Sequence, residues 1–150
     1  MADEGAYVDT SILGAYYCPE PLSAAAEKAL RQFKTPVISV LSEVEFCSLI
    51  SKKYHLDELR ERQAKEILDL FSNHVAEGFY RRISLSTEHF IKARLLVASM
   101  DRSLRTLDAL HLAAALAEGL TLVTADREFA RAGKRHKANT LLIIDSSKSR

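Results

Sequence analysis

The amino-acid sequence predicts an α/β domain: a mostly parallel sheet with helices on both faces. Short apolar runs rich in Val, Ile and Leu alternate along the chain with longer amphipathic or Ala-rich stretches, the pattern of strands linked by helical crossovers. Several of these runs are continuously apolar, as strands buried on both faces must be. At 150 residues, with 47% hydrophobic and 27% charged content, the chain suits one compact domain with a sizeable core.

Ala6-Tyr7-Val8 ends at Asp9-Thr10-Ser11, which makes it a strand followed by a turn. A helix over 12–17 follows and is broken by Pro19 and Pro21. The Ala-rich stretch 22–33 is a second helix. Thr35-Pro36 ends it, because the residue before proline disfavours the α region. Val37-Ile38-Ser39-Val40 is the second strand. Ser42 starts a helix over 42–54. A charged helix over 56–75 follows, with Leu59, Ile67, Leu70 and Phe71 as its apolar positions, and Gly78 stops it. Arg82-Ile83-Ser84-Leu85 is a weaker strand, and 87–99 is helical. The stretch 107–117 is a strong helix with Thr106 as N-cap and Gly119 as its left-handed stop. Leu120-Thr121-Leu122-Val123 is the clearest strand, 124–132 a short helix, and Leu141-Leu142-Ile143-Ile144 the last strand. The polar tail 146–150 is expected to fray. Residues 1–150 are expected to form a single domain, with no repeat or linker.

Formal net charge is +1, but it is unevenly spread. Residues 1–75 carry 8 Lys and Arg against 12 Asp and Glu; residues 76–150 carry 13 against 8. A basic half beside an acidic site suits a polyanionic partner, although an uneven surface alone produces the same count. Cys18 and Cys47 lack metal-ligand spacing and are expected to be reduced and partly buried. The acidic start Met1-Ala2-Asp3-Glu4 is unlike a signal peptide. The longest apolar stretch is interrupted by Asp108 and His111. No membrane span is expected, and a cytoplasmic location follows.

Four carboxylates have positions that a parallel sheet gathers together. Asp9 follows the first strand and Asp126 the fourth. Glu45 is expected in the first turn of the helix after the second strand, and Asp108 in the first turn of the helix leading to the fourth. Helices that cross back over a parallel sheet start at the carboxyl edge of its strands, where ligands of open α/β sheets bind. Each acid also has a capping role open to it. Ser42 and Glu45 fit a capping box, Asp108 and Asp126 suit the positive end of a helix dipole, and Asp9 suits an N-cap. Capping alone does not require all four to share one edge. Four acids in one cleft repel one another unless a cation lies between them, and hard oxygen ligands suit Mg²⁺ or Mn²⁺. Thr10, Ser11 and Thr124 are placed to orient a carboxylate or a water.

Four segments resemble the PIN-domain family, and within it the VapC-type toxin ribonucleases of toxin–antitoxin pairs. They are Tyr7-Val8-Asp9-Thr10-Ser11, Ile38-Ser39-Val40-Leu41-Ser42-Glu43-Val44-Glu45, Leu107-Asp108-Ala109-Leu110-His111-Leu112-Ala113-Ala114-Ala115 and Leu122-Val123-Thr124-Ala125-Asp126. No single segment is specific; their order and spacing over nearly the whole chain are. The resemblance implies an α/β/α sandwich and a Mg²⁺- or Mn²⁺-dependent endoribonuclease. It implies catalytic Asp9, Glu45, Asp108 and Asp126, with Asp9, Asp108 and Asp126 on the metal. Glu45 is preferred to Glu43 because the family's acid follows a Val. The resemblance also implies an RNA substrate, a homodimer and a cognate small antitoxin.

Other readings stay open. His111, three residues after Asp108, is on about the same helix face. It is either a partner of the acids or, the better reading, a packed helix histidine. Arg102, Arg105, Arg127 and Arg131 are candidates for holding RNA phosphates, or belong to a solvated face, as do Lys134, Arg135 and Lys137. An α/β phosphohydrolase using Asp9 as nucleophile is an alternative, weakened by the absence of a second Asp two residues later. A non-catalytic α/β binding module is another.

Overall fold

The structure is a computed structural model that describes residues 5–145; the expected frayed tail 146–150 lies outside the described residues. The elements are β1 (Ala6–Val8), α1 (Thr10–Tyr17), α2 (Ser23–Gln32), β2 (Val37–Ser39), α3 (Val40–His55), α4 (Glu61–Ala76), β3 (Arg81–Ile83), α5 (Thr87–Ala98), α6 (Thr106–Ala117), β4 (Thr121–Thr124), α7 (Arg127–Arg135) and β5 (Thr140–Leu142).

The five strands form one sheet in the order β3-β2-β1-β4-β5, and every pairing is parallel. Side chains alternate across a strand, so β1 feeds two cores. Ala6 and Val8 pack with Ile12, Phe46, Ile50 and Phe71 from α1, α3 and α4. Tyr7 packs with Leu112, Leu122 and Phe129 from α6, β4 and α7. The three-layer α/β/α sandwich implied by the resemblance is the observed fold. Because β1 has β2 on one side and β4 on the other, the chain winds outward in both directions from it. That reversal opens a crevice at the carboxyl ends of β1 and β4. No helix among the described residues is long and apolar enough to cross a membrane.

Several boundaries differ from expectation: α7 spans 127–135 rather than 124–132, β3 81–83 rather than 82–85, and β5 140–142 rather than 141–144. The helix expected from 56 begins at Glu61; α3 instead continues to His55, and the chain turns back where Asp57 adopts a left-handed φ of 59°. The capping box of α3 is not Ser42 with Glu45. Ser39 caps it: Ser42 N donates to Ser39 Oγ (3.3 Å) and Ser39 N to Ser42 Oγ (3.1 Å). The helix therefore starts at Val40, directly out of β2, and Glu45 falls in its second turn. Thr106 is the first residue of α6 rather than its cap, which is Arg105. Gly119 does stop α6, with φ 65°. Of the two free cysteines, Cys18 is buried but Cys47 is exposed.

Candidate active site

Asp9 occupies the N-cap position of α1, yet its side chain makes no capping hydrogen bond. It is only 8% exposed. Its Oδ2 accepts from Ser11 Oγ (2.8 Å) and Thr124 Oγ1 (2.9 Å). Those hydroxyls in turn accept from the backbone beyond β4, Ser11 Oγ from Ala125 N (3.0 Å) and Thr124 Oγ1 from Asp126 N (3.1 Å). The three side chains thus tie the end of β1 to the end of β4. They meet there because β1 and β4 are paired, Val8 opposite Val123.

A cavity of about 630 Å³ opens above this point, bounded by Glu45, Asp108 and Asp126 together with Arg102 and Arg105. Asp9 does not line it, but its charge is felt there. Burial pushes the Asp108 carboxyl above its ordinary value, and the charges of Asp9 and Asp126 push it further. The Arg105 N–H and His111 oppose the rise without reversing it. That Arg105 N–H donates weakly to Asp108 Oδ2 at 3.4 Å. Asp126 is both a cap and a cavity wall: its Oδ1 accepts from Glu128 N (2.9 Å) and Phe129 N (3.1 Å) at the start of α7.

Glu45 faces the same cavity from α3. Its Oε1 accepts from Thr10 Oγ1 (3.0 Å) and meets Nε2 of His111. Burial works against its charge, but the His111 and Thr10 hydrogen bonds outweigh it and hold the carboxyl below its ordinary value. Glu43, two residues earlier, turns elsewhere and accepts from Arg82 Nε at 2.6 Å. Three of the acids therefore border one cavity, from α3, α6 and the N-cap of α7, and Asp9 at the end of β1 adds its charge to it. Their donor set is oxygen only, which matches a hard divalent cation. Among the described residues, however, no three His, Cys, Asp or Glu side chains stand close enough as placed to hold a metal ion.

The basic candidates divide. Arg102 and Arg105 are on the cavity wall. Arg127 borders a separate cavity with Glu20, Leu22 and Ile143, and Arg131 is exposed on α7 outside the acid cavity. Arg135 is engaged within the fold: its Nη2 and Nε donate to Asp101 at 2.8 and 3.1 Å, and it also meets Ser103. His111 was expected to be a packed helix residue. It is buried, 1% exposed, but it is also bonded to Glu45. Tyr7, its other partner, carried no sequence signal beyond a polar group in an otherwise apolar strand.

The family model described as PIN domain matches residues 6–135. The chain belongs to the PIN-domain family. Solved structures share the PIN fold at low identity. The chain is 22% identical to VapBC2 from Rickettsia felis, bound to a promoter DNA fragment, with a TM-score of 0.60 over 84% of this chain and 91% of that one. It is 22% identical to a toxin–antitoxin complex from Klebsiella pneumoniae, with a TM-score of 0.64 over 91% and 96%. It is 19% identical to VapC20 of Mycobacterium tuberculosis, a toxin that cleaves the sarcin-ricin loop, with a TM-score of 0.65 over 94% and 98%. These likenesses establish the fold. No match is found among curated proteins.

Proposed function

We propose that this PIN protein is a divalent-metal-dependent endoribonuclease and the toxin of a toxin–antitoxin pair. One observation carries the reading: Glu45, Asp108 and Asp126, from separate elements, face one cavity while Asp9 charges it from below. A capping role accounts for Asp126, which caps α7, but not for Asp9, which caps nothing. The neighbours support the biological setting, since they are VapBC and other toxin–antitoxin proteins and one is a toxin that cleaves the sarcin-ricin loop.

Asp9, Asp108 and Asp126 are the residues that would hold Mg²⁺ or Mn²⁺. When bound, the cation supplies an acidified water and neutralises charge on the scissile phosphate. Ser11 and Thr124 fix the Asp9 carboxylate by donating to one of its oxygens. Glu45, kept ionised by His111 and Thr10, accepts the proton of the attacking water. Arg102 and Arg105 hold RNA phosphates at the cavity wall. Arg127 and Arg131 contact only RNA that runs beyond it. The antitoxin covers the acid cavity, a second copy packs on the exposed apolar side of α5, and the pair acts in the cytoplasm. A nuclease-free preparation should cleave RNA in Mn²⁺ and stop when EDTA is added; equal cleavage in EDTA overturns the proposal.

A further inference from the structure

The buried ring of His111 links the cavity to the centre of the sheet. Its Nε2 meets Glu45 Oε1, and its Nδ1 lies 2.5 Å from the Tyr7 hydroxyl. That hydroxyl is also 2.8 Å from Ser39 Oγ and 3.5 Å from Ser42 Oγ. Tyr7 and His111 are almost fully buried, as are Ser39 and Ser42. One hydrogen-bonded line thus runs from the end of β2 through β1 and α6 to the acid on α3.

The chemistry of the groups fixes the direction of this line. An ionised carboxylate only accepts, so Nε2 must carry the imidazole hydrogen. In the neutral ring Nδ1 is then an acceptor, and the Tyr7 hydroxyl must donate to it. The opposite tautomer would set a ring lone pair against a carboxylate lone pair. A histidine buried only for packing needs neither partner, and an apolar residue of its size would fill the space without desolvating polar groups.

We infer that His111 is a positioning residue that aims Glu45 into the cavity, and that Tyr7 sets His111 in the tautomer this requires. The effect on cleavage rests on the ribonuclease reading; the tautomer does not. Outer partners that orient a site's ligands typically change activity about 10- to 100-fold when removed. Tyr7→Phe, which deletes one oxygen, should therefore lower kcat on RNA in Mn²⁺ by about 10- to 100-fold with KM unchanged. His111→Gln, whose amide can still donate to Glu45, should retain more activity than His111→Leu.

The test combines these kinetics with imidazole ¹⁵N spectra of the full chain and a thermal melt of each variant. Expected is an Nε2–H tautomer for His111, with an Nε2 signal that moves in Glu45→Gln and a tautomer that becomes mixed in Tyr7→Phe. An Nδ1–H tautomer in the wild-type protein overturns the inference. So does a wild-type kcat in folded Tyr7→Phe, or in folded His111→Leu. Where the His111 variants do not fold, Tyr7→Phe and the tautomer decide. Wild-type protein that fails to cut RNA defeats the ribonuclease reading instead, and the spectra still decide whether His111 is set by Tyr7 against Glu45.

Discussion

Asp9 and Asp126 occupy the same kind of position, the N-cap of a helix that follows a strand, yet only Asp126 uses it as a cap. Their substitutions should separate accordingly. Asp126→Ala should lower stability by about 1 kcal/mol, a fall in Tm of about 2–4 °C for a chain of this size. Asp126→Asn should keep the cap, since an amide oxygen accepts as well. Asp9→Asn should abolish Mn²⁺-dependent cleavage while the protein in EDTA melts no lower than wild type; a lower Tm with undiminished cleavage would mark Asp9 as structural only. Asp108 adds a pH dependence. Its carboxyl titrates higher in the folded than in the unfolded chain, so the folded state holds that proton more tightly. Stability then falls as pH rises through the interval between the usual carboxylate value and the raised one. Asp108→Asn should raise Tm in EDTA near neutral pH, and the gain should vanish in acid below the ordinary carboxylate range. Melting curves at both pH values check it.

At the scale of elements, α7 is held at both ends. Asp126 caps its start, and Arg135 in its last turn clasps Asp101, which also accepts from Ser103 and lies 3.2 Å from His136 Nε2. The clasp anchors the segment that carries Arg102 and Arg105 to the cavity wall. The Arg135 hydrogen bonds, followed by those of Ser103, hold the Asp101 carboxyl well below the usual carboxylate range. That contribution to stability is present above the unfolded carboxylate value and is lost as pH falls through the folded one. Arg135→Met should therefore lower Tm at neutral pH, flatten the acid side of the stability profile and raise KM for RNA. None of this was legible in the basic run 127–137, because Asp101 is 34 residues away from Arg135. Local signals carried the rest. The inner strands β1, β2 and β4 were legible because burial on both faces makes them largely apolar, and the acids because each stands at a strand end or an early helix turn. The length of the α3–α4 connection was hidden by Asp57, whose left-handed backbone has no glycine to announce it. Ser42 looked like the cap of α3, but β2 runs straight into the helix and brings Ser39 to that position. That His111 meets Glu45 was illegible for the same reason as Arg135's contact, since Glu45 is 66 residues from it in the chain.

At the scale of the whole molecule, the charge asymmetry and the apolar surface become measurable. RNA held by arginines at the cavity wall should bind more weakly as salt rises. Arg105→Ala should reduce the log–log slope by about 0.7, the value for one single-strand phosphate contact, in binding titrations with the metal left out. On α5, Ile91 and Leu95, one turn apart, are 46% and 62% exposed, an apolar strip of the kind that marks an interface. Leu95→Glu should shift a dimer toward monomer in sedimentation velocity without lowering Tm, because the side chain is largely out of the core. The sheet order bears on when the protein acquires its activity. The central strand is the first to be synthesised, and one of its two neighbours, β4, is almost the last. Until residues 121–126 have left the ribosome, Asp9 has no Thr124 to hold it, the cavity lacks the Asp126 wall, and one long side of β1 is unpaired. Pairing so distant in sequence is also slow to form. On the ribonuclease reading, the growing chain therefore has no working centre until β4 has emerged and paired with β1.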